Sequence, residues 1–211
     1  MKRREFALAA AAASLPALWS LPVQAQSGQG YLELKQRATV SAPAGQIEVI
    51  EFFSYGCVHC KNFAPIFEAW KKTVAKDVSV RMVHVGFNKS FEPLQRIFIT
   101  LETLGQADAM NAKVFKAVQD ERKALNKPDV LFPWVAEQGL DRAKFESIYN
   151  SFSTASQVKR SMQLQDEYQV EGTPAIGVAG RYYTDGSMAG GFERMVQVTN
   201  QLVERERKRG A

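Results

Sequence analysis

Cysteine and histidine are scarce: the 211 residues hold only Cys57, Cys60, His59 and His84. A disulfide-stapled scaffold needs several bridges, and a structural zinc site needs four ligands drawn mainly from Cys and His. His59 lies inside the short Cys57–Cys60 loop, where its ring is poorly placed to share a metal with both flanking sulfurs. Zinc is therefore disfavoured. Charge of one sign is lacking too. The formal net charge is +5, and without Lys2, Arg3, Arg4 and Glu5 there remain 24 basic and 21 acidic residues. That balance is too mild to argue for nucleic acid. Repeats and low-complexity segments are absent, and beyond the N-terminus no apolar run approaches the roughly 20 residues a spanning helix needs. What is present is globular: 45% apolar and 23% charged residues, in a length that suits one sizeable domain or a domain carrying an insertion.

Residues 1–25 read as an export signal. A basic start, "MKRRE", precedes the apolar "FALAAAAASLPALWSL", and "VQA" supplies small residues for cleavage after Ala25. The apolar run is broken by Pro16 and Pro22, and no cysteine stands at the cleavage site to take a lipid. Arg3-Arg4 followed by Phe6 partly resembles a twin-arginine signal, the alternative being an ordinary basic segment; either exports the chain.

Export changes the meaning of the two cysteines, because an oxidising compartment lets a disulfide form and persist. As a staple, a bridge around four residues is worth roughly 2 kcal/mol in the chain-entropy model, a weak way to hold a domain of this length. A reactive dithiol is the remaining reading, and the flanking sequence supplies a frame for it. "QIEVIEFFS" (46–54) is a run rich in Ile, Val and Phe, read as a central strand buried on both faces. "CKNFAPIFEAWKKTVAK" then sets Phe63, Ile66, Phe67, Trp70 and Val74 at helical spacing, with a kink expected at Pro65. Cys57 thus falls at a helix N-terminus, where unpaired N–H groups and the positive dipole end stabilise a thiolate. Cys60, one turn further in, is expected to be more covered and suited to resolving a mixed disulfide.

Downstream, "DVSVRMVHVGF" (77–87) reads as a second strand, and residues of about 90–168 carry only helical patterns. "PAIGVA" and "RYYTDG" read as a hairpin through Ala179-Gly180, and "FERMVQVTNQLVERERKR" as a closing helix. The expected architecture is one α/β domain over 26–211, with an inserted helical bundle. Trp70, Trp134 and most Phe residues are expected in the core. Glu51 stands out, since a carboxylate in a buried strand is costly unless paired or neutral; the alternative is that it points to an open edge.

"EFFSYGCVHC", the strand ending "HVGF", the helical stretch and "YQVEGTPAIGV" together resemble the DsbA family of periplasmic thiol–disulfide oxidoreductases, which have a thioredoxin fold. The likeness covers the chain from about Tyr31 onwards. It implies that Cys57 is the nucleophile and Cys60 the resolving cysteine, with Val58 and His59 as the dipeptide that tunes them. It implies a cis Pro174 beside the cysteines, and a Thr173 backbone that pairs with an extended peptide. It implies that Glu51 lies beneath the cysteines and relays a proton to the buried thiol. His59 either lowers the Cys57 pKa as a donor or cationic neighbour, or is a solvent-facing loop residue.

Two departures from the family pattern stand out. The lysine that often partners the family's glutamate is replaced by Met82, so burial should raise the Glu51 pKa. The dipeptide is Val-His where better-known members carry Pro-His. No cofactor or metal is implied. The partners implied are reduced or unfolded exported proteins and a quinone-linked, DsbB-type membrane reoxidant. A monomer in the periplasm is expected; against an isomerase of the known kind, the residues between Gln26 and Tyr31 leave no room for its N-terminal dimerisation domain. The competing functions are a disulfide isomerase or reductase, and a non-catalytic thiol- or metal-binding chaperone.

Overall fold

The computed structural model describes residues 29–210; the expected export signal and its cleavage point lie outside them. A five-stranded sheet runs in the order β1 (Leu32–Glu33), β5 (Tyr182–Asp185), β4 (Ala175–Val178), β2 (Ile47–Phe53), β3 (Val78–His84). β2 and β3 are parallel, and the other pairings are antiparallel. The β2–β3 crossover is helix α1 (Val58–Lys71). After the β4–β5 hairpin and a short α7 (Gly186–Ala189), helix α8 (Phe192–Gly210) closes the chain. This is a thioredoxin fold. Between β3 and β4 come a 3₁₀ turn (Lys89–Phe91), α2 (Glu92–Thr103), α3 (Ala107–Phe115), a π-helical turn (Lys116–Asp120), α4 (Pro128–Glu137), α5 (Arg142–Tyr149) and α6 (Phe152–Glu167).

β2 is buried almost end to end because both faces of the sheet are covered. Val49 and Phe53 point into a core shared with α1, α8 and the inserted helices, while Ile50 and Phe52 point into a smaller core with Leu164, Val170 and Tyr168. Tyr168 packs so closely on β4 that a Cβ at Gly177 would stand 2.3 Å from its ring, which is why that strand carries a glycine. The second strand stops at His84, earlier than its apolar pattern suggests, although the Val85 N–H still reaches the Phe53 carbonyl (2.8 Å). β1 and α7 are too short for periodicity to reveal.

α1 buries Cys60, Phe63, Phe67 and Trp70, and the Trp70 indole donates to Asn200 Oδ1 of α8 (2.8 Å). The helix continues through Pro65, which lies on its exposed side. The hairpin turns through Ala179 and Gly180, both at positive φ (53° and 70°), with the Arg181 N–H on the Val178 carbonyl (2.9 Å).

Candidate active site

The redox pair sits where β2 gives way to α1. The Cys57 N–H bonds the Ser54 carbonyl (3.0 Å), the Gly56 N–H bonds Ser54 Oγ (3.3 Å), and Cys57 itself is the N-cap of α1 in an extended conformation (φ −92°, ψ 117°). Its carbonyl accepts the first helical bond, from Lys61 N–H (3.2 Å). No side-chain oxygen caps the helix. The Cys57 sulfur stands in that place, facing the open amides of the first turn. Both thiols are reduced; Cys57 is half-buried and Cys60 fully buried.

Their environments drive the two acidities apart. The Cys57 pKa is lowered to about 5. The Cys60 thiol, donating to its sulfur, is the largest cause; the Thr173 hydroxyl and the backbone N–H groups of Cys60 and His59 add to it, against partial burial. Thr173 acts in both directions, since its carbonyl lies 3.3 Å from Sγ and can only accept from the protonated form. Cys60 is driven the other way, by burial first and then by its bond to Cys57. At neutral pH the pair is one thiolate and one thiol. Thiolate absorbance of the reduced protein should therefore titrate with a midpoint near pH 5, whereas a midpoint near the free-cysteine value of about 8.5 would contradict this arrangement.

The other residues singled out from sequence fall around this pair. The Thr173–Pro174 peptide is cis and lies across from Cys57. His59 is exposed, and its backbone N–H is among the groups that lower the Cys57 pKa. Glu51 shares the sheet face of Val49 and Phe53, under α1, and is 1% exposed, so it does not look out at an open edge. It pairs in register with Met82 on one side and Ile176 on the other, and its Oε2 has no partner among the described residues. Burial raises its pKa to about 8; the nearby Glu68 adds to the rise and Lys71 opposes it.

Two residues escaped sequence reasoning. His84 weighed only as a metal-ligand candidate, but it is buried, and both ring nitrogens are committed. Nδ1 donates to the Val85 carbonyl (2.9 Å), and Nε2 accepts the Tyr55 N–H (3.0 Å). Burial lowers its pKa to about 3, which keeps it neutral. Gln119, from the π-helical turn, donates to the carbonyls of Tyr55 (2.8 Å) and Cys57 (3.0 Å). Neither role carries a sequence signal, because each is a bond between distant segments.

A groove borders the pair, lined by His59, Gly172, Thr173, Pro174, Ser187 and Phe192. Val58 and Met188 are exposed apolar side chains, 56% and 40% accessible. Among the described residues no hydrogen bond takes the Thr173 N–H. The site can thus offer an acidic sulfur, a buried partner thiol, a backbone donor for an extended chain and a neutral carboxyl beneath.

Comparison with known proteins gives a consistent picture. The DSBA-like thioredoxin domain matches residues 87–203, and the thioredoxin family matches 35–99. The thiol:disulfide interchange protein DsbA of Bordetella parapertussis is 41% identical over 202 residues, covering 95% of this chain and 96% of its own. The crystal structure of Pseudomonas aeruginosa DsbA superposes with a TM-score of 0.83 at 36% identity, covering 87% of this chain and 95% of that one. The oxidoreductase NmDsbA1 of Neisseria meningitidis follows at 0.76 and 27%, over 87% and 94%.

Proposed function

The chain belongs to the DsbA family of thiol:disulfide interchange proteins, and from that membership we propose how its own residues carry the exchange. The disulfide between Cys57 and Cys60 is donated to reduced, exported proteins. A substrate thiolate attacks Cys57 Sγ, the Cys57–Cys60 bond breaks, and Cys60 leaves with the electron pair and takes up a proton. Glu51, held neutral at pH 7 by its raised pKa, supplies that proton and later removes it. A second substrate thiolate then attacks the substrate sulfur of the mixed disulfide. Cys57 departs as a thiolate, and the substrate has lost two electrons to the enzyme.

Thr173 N–H pairs with the backbone of the incoming segment, which lies in the groove beside Pro174. His59 contributes its amide to the thiolate. Residues 1–25 direct export to the periplasm, and 26–211 form the working enzyme, a monomer with its helices inserted at about 90–168. A quinone-linked, DsbB-type membrane protein removes the two electrons and restores the disulfide.

The observation that carries this direction of transfer is the low pKa of Cys57: a thiolate stabilised only in the folded, reduced form makes the disulfide form oxidising. By linkage, a folded pKa held below the unfolded one adds stability that is complete above the unfolded value, near 9, shrinks as pH falls, and is gone below about 5. Discounted for the solvent around a half-exposed sulfur, about 1–2 kcal/mol of it should remain at pH 7. Denaturant midpoints of the two redox forms measure it. The reduced form should be the more stable at pH 7, with the gap closing towards pH 5. A more stable oxidised form at pH 7 would point to a reductase instead.

A further inference from the structure

We propose that Gln119 is a positioning residue for the redox pair, its amide clamping the Tyr55 and Cys57 carbonyls so that the Cys57 sulfur stays aimed at the helix amides. The inference rests on the disulfide-donor reading above and assigns a task within it to the inserted helices.

The backbone of the loop Tyr55-Gly56-Cys57 shows what the clamp supplies. Its three N–H groups are taken by His84 Nε2, Ser54 Oγ and the Ser54 carbonyl. Tyr55 is fully buried, so its carbonyl cannot rely on bulk water. The donor comes from another part of the fold. Gln119 Nε2 carries two hydrogens, and both find carbonyl oxygens, on Tyr55 (2.8 Å) and on Cys57 (3.0 Å). With two acceptors facing it, the orientation of the amide is unambiguous.

The π-helical turn aims it there. After α3 the ladder opens to an i→i+5 bond, Glu121 N–H to the Lys116 carbonyl (3.0 Å), which widens the turn and redirects its side chains. Phe115, one turn before Gln119, packs edge-on against the Tyr55 ring at 5.0 Å, and Asp120, immediately after, pairs with Lys61 of α1. The segment 115–120 therefore grips the loop by a ring and an amide, and α1 by a carboxylate. A π turn is rare and is often found at functional sites.

Two physical effects follow from the amide bonds. Donation to the Cys57 carbonyl draws electron density from the thiolate residue's own peptide oxygen, which lessens their repulsion. Fixing the Tyr55 and Cys57 peptides also holds the extended N-cap conformation in which Sγ faces the His59 and Cys60 N–H groups. Both effects favour the thiolate over the thiol, so they act on the chemistry and not merely on the fold.

The test is titration of Cys57 by thiolate absorbance, with the rate of disulfide transfer to a reduced model peptide, in wild type, Gln119→Met and Gln119→Glu. Methionine keeps the length and loses both donors. Glutamate keeps the shape and replaces donors by an anion. Hydrogen bonds of this kind change an equilibrium by roughly 2- to 10-fold. Gln119→Met should weaken the acid by roughly 3- to 10-fold and slow transfer, and Gln119→Glu should weaken it further. Asp120→Asn, which breaks the neighbouring ion pair and leaves the clamp, should shift the midpoint less than about 2-fold. If wild type is acidic and both Gln119 variants match it, the clamp has no role in the chemistry. The clamp is equally excluded if they lower the stability of both redox forms equally and leave the Cys57 midpoint in place. If wild-type Cys57 itself titrates like a free thiol, the disulfide-donor reading fails first and the clamp with it.

Discussion

A Cys60→Ser enzyme should accumulate mixed disulfides that wild type resolves within its own turnover. The half-buried Cys57 remains reachable, and the introduced serine hydroxyl can still donate to its sulfur, so the thiolate should stay acidic. It can attack a partner's disulfide and be left joined to one partner sulfur while the other departs as a thiolate, but no second sulfur stands behind it to release the adduct. In exported material this should give high-mass species that reductant dissolves, one of them the membrane reoxidant, while net disulfide formation falls to the uncatalysed level. Cys57→Ser should be equally inactive yet trap far less, because Cys60 is 0% exposed and cannot meet a partner sulfur. Non-reducing electrophoresis of the two variants decides between the roles. If Cys57→Ser traps as much as Cys60→Ser, the assignment of nucleophile and resolving thiol is wrong. If Cys60→Ser traps nothing while wild type takes up zinc or copper tightly, the redox function itself falls.

Replacing Glu51 with leucine should stabilise the protein, and by an amount set by pH. A carboxyl whose folded pKa is raised, here from 4.5 to about 8, contributes fully below pH 4.5, and its contribution is lost as pH rises through about 8. In the oxidised form, where Cys57 has no proton to lose, wild type should therefore lose stability across that window, while Glu51→Leu should lose far less. At pH 8.5 the variant should exceed wild type by roughly 2–4 kcal/mol, and at pH 5 by far less. The catalytic effect should run the other way. Deprotonation of Cys60 during reoxidation should slow by on the order of 10- to 100-fold, with the acidity of Cys57 retained. Equilibrium unfolding at the two pH values, beside the rate of reoxidation, tests both halves. A variant no more stable than wild type at pH 8.5 would mean that Glu51 is solvated and ionised in the fold.

How far these features can be read from the residues depends on how local their causes are. The strand, turn and helix around Cys57 follow from a β-rich run and from Phe63, Phe67 and Trp70 at helical intervals, all within one continuous stretch. Counting along two parallel strands is enough to place Met82 opposite Glu51. The cis Thr173–Pro174 bond rests on family resemblance, as nothing in the local sequence demands it. The π turn at Lys116–Asp120 is illegible, because a single widened turn hardly disturbs the helical pattern of 107–121. Gln119 and His84 look like an ordinary polar helix residue and an ordinary strand residue until the fold brings each to the Tyr55 backbone. Those contacts span 64 and 29 positions, beyond what periodicity can reach.

The Cys57 sulfur and the Thr173 residue that faces it are 116 positions apart, with every inserted helix between them. A chain synthesised from its N-terminus presents Cys57 long before Thr173, and closing so wide a loop is slow compared with forming a local helix. Until β4 docks, α1 has only the β2–β3 pair beside it and lacks the segment that brings Thr173 across from Cys57. The Cys57 sulfur then lacks the share of thiolate stabilisation that the Thr173 hydroxyl supplies in the folded chain. The full acidity of Cys57 is thus expected only of the finished molecule, because one of the groups that lower it reaches the sulfur after every inserted helix has been made.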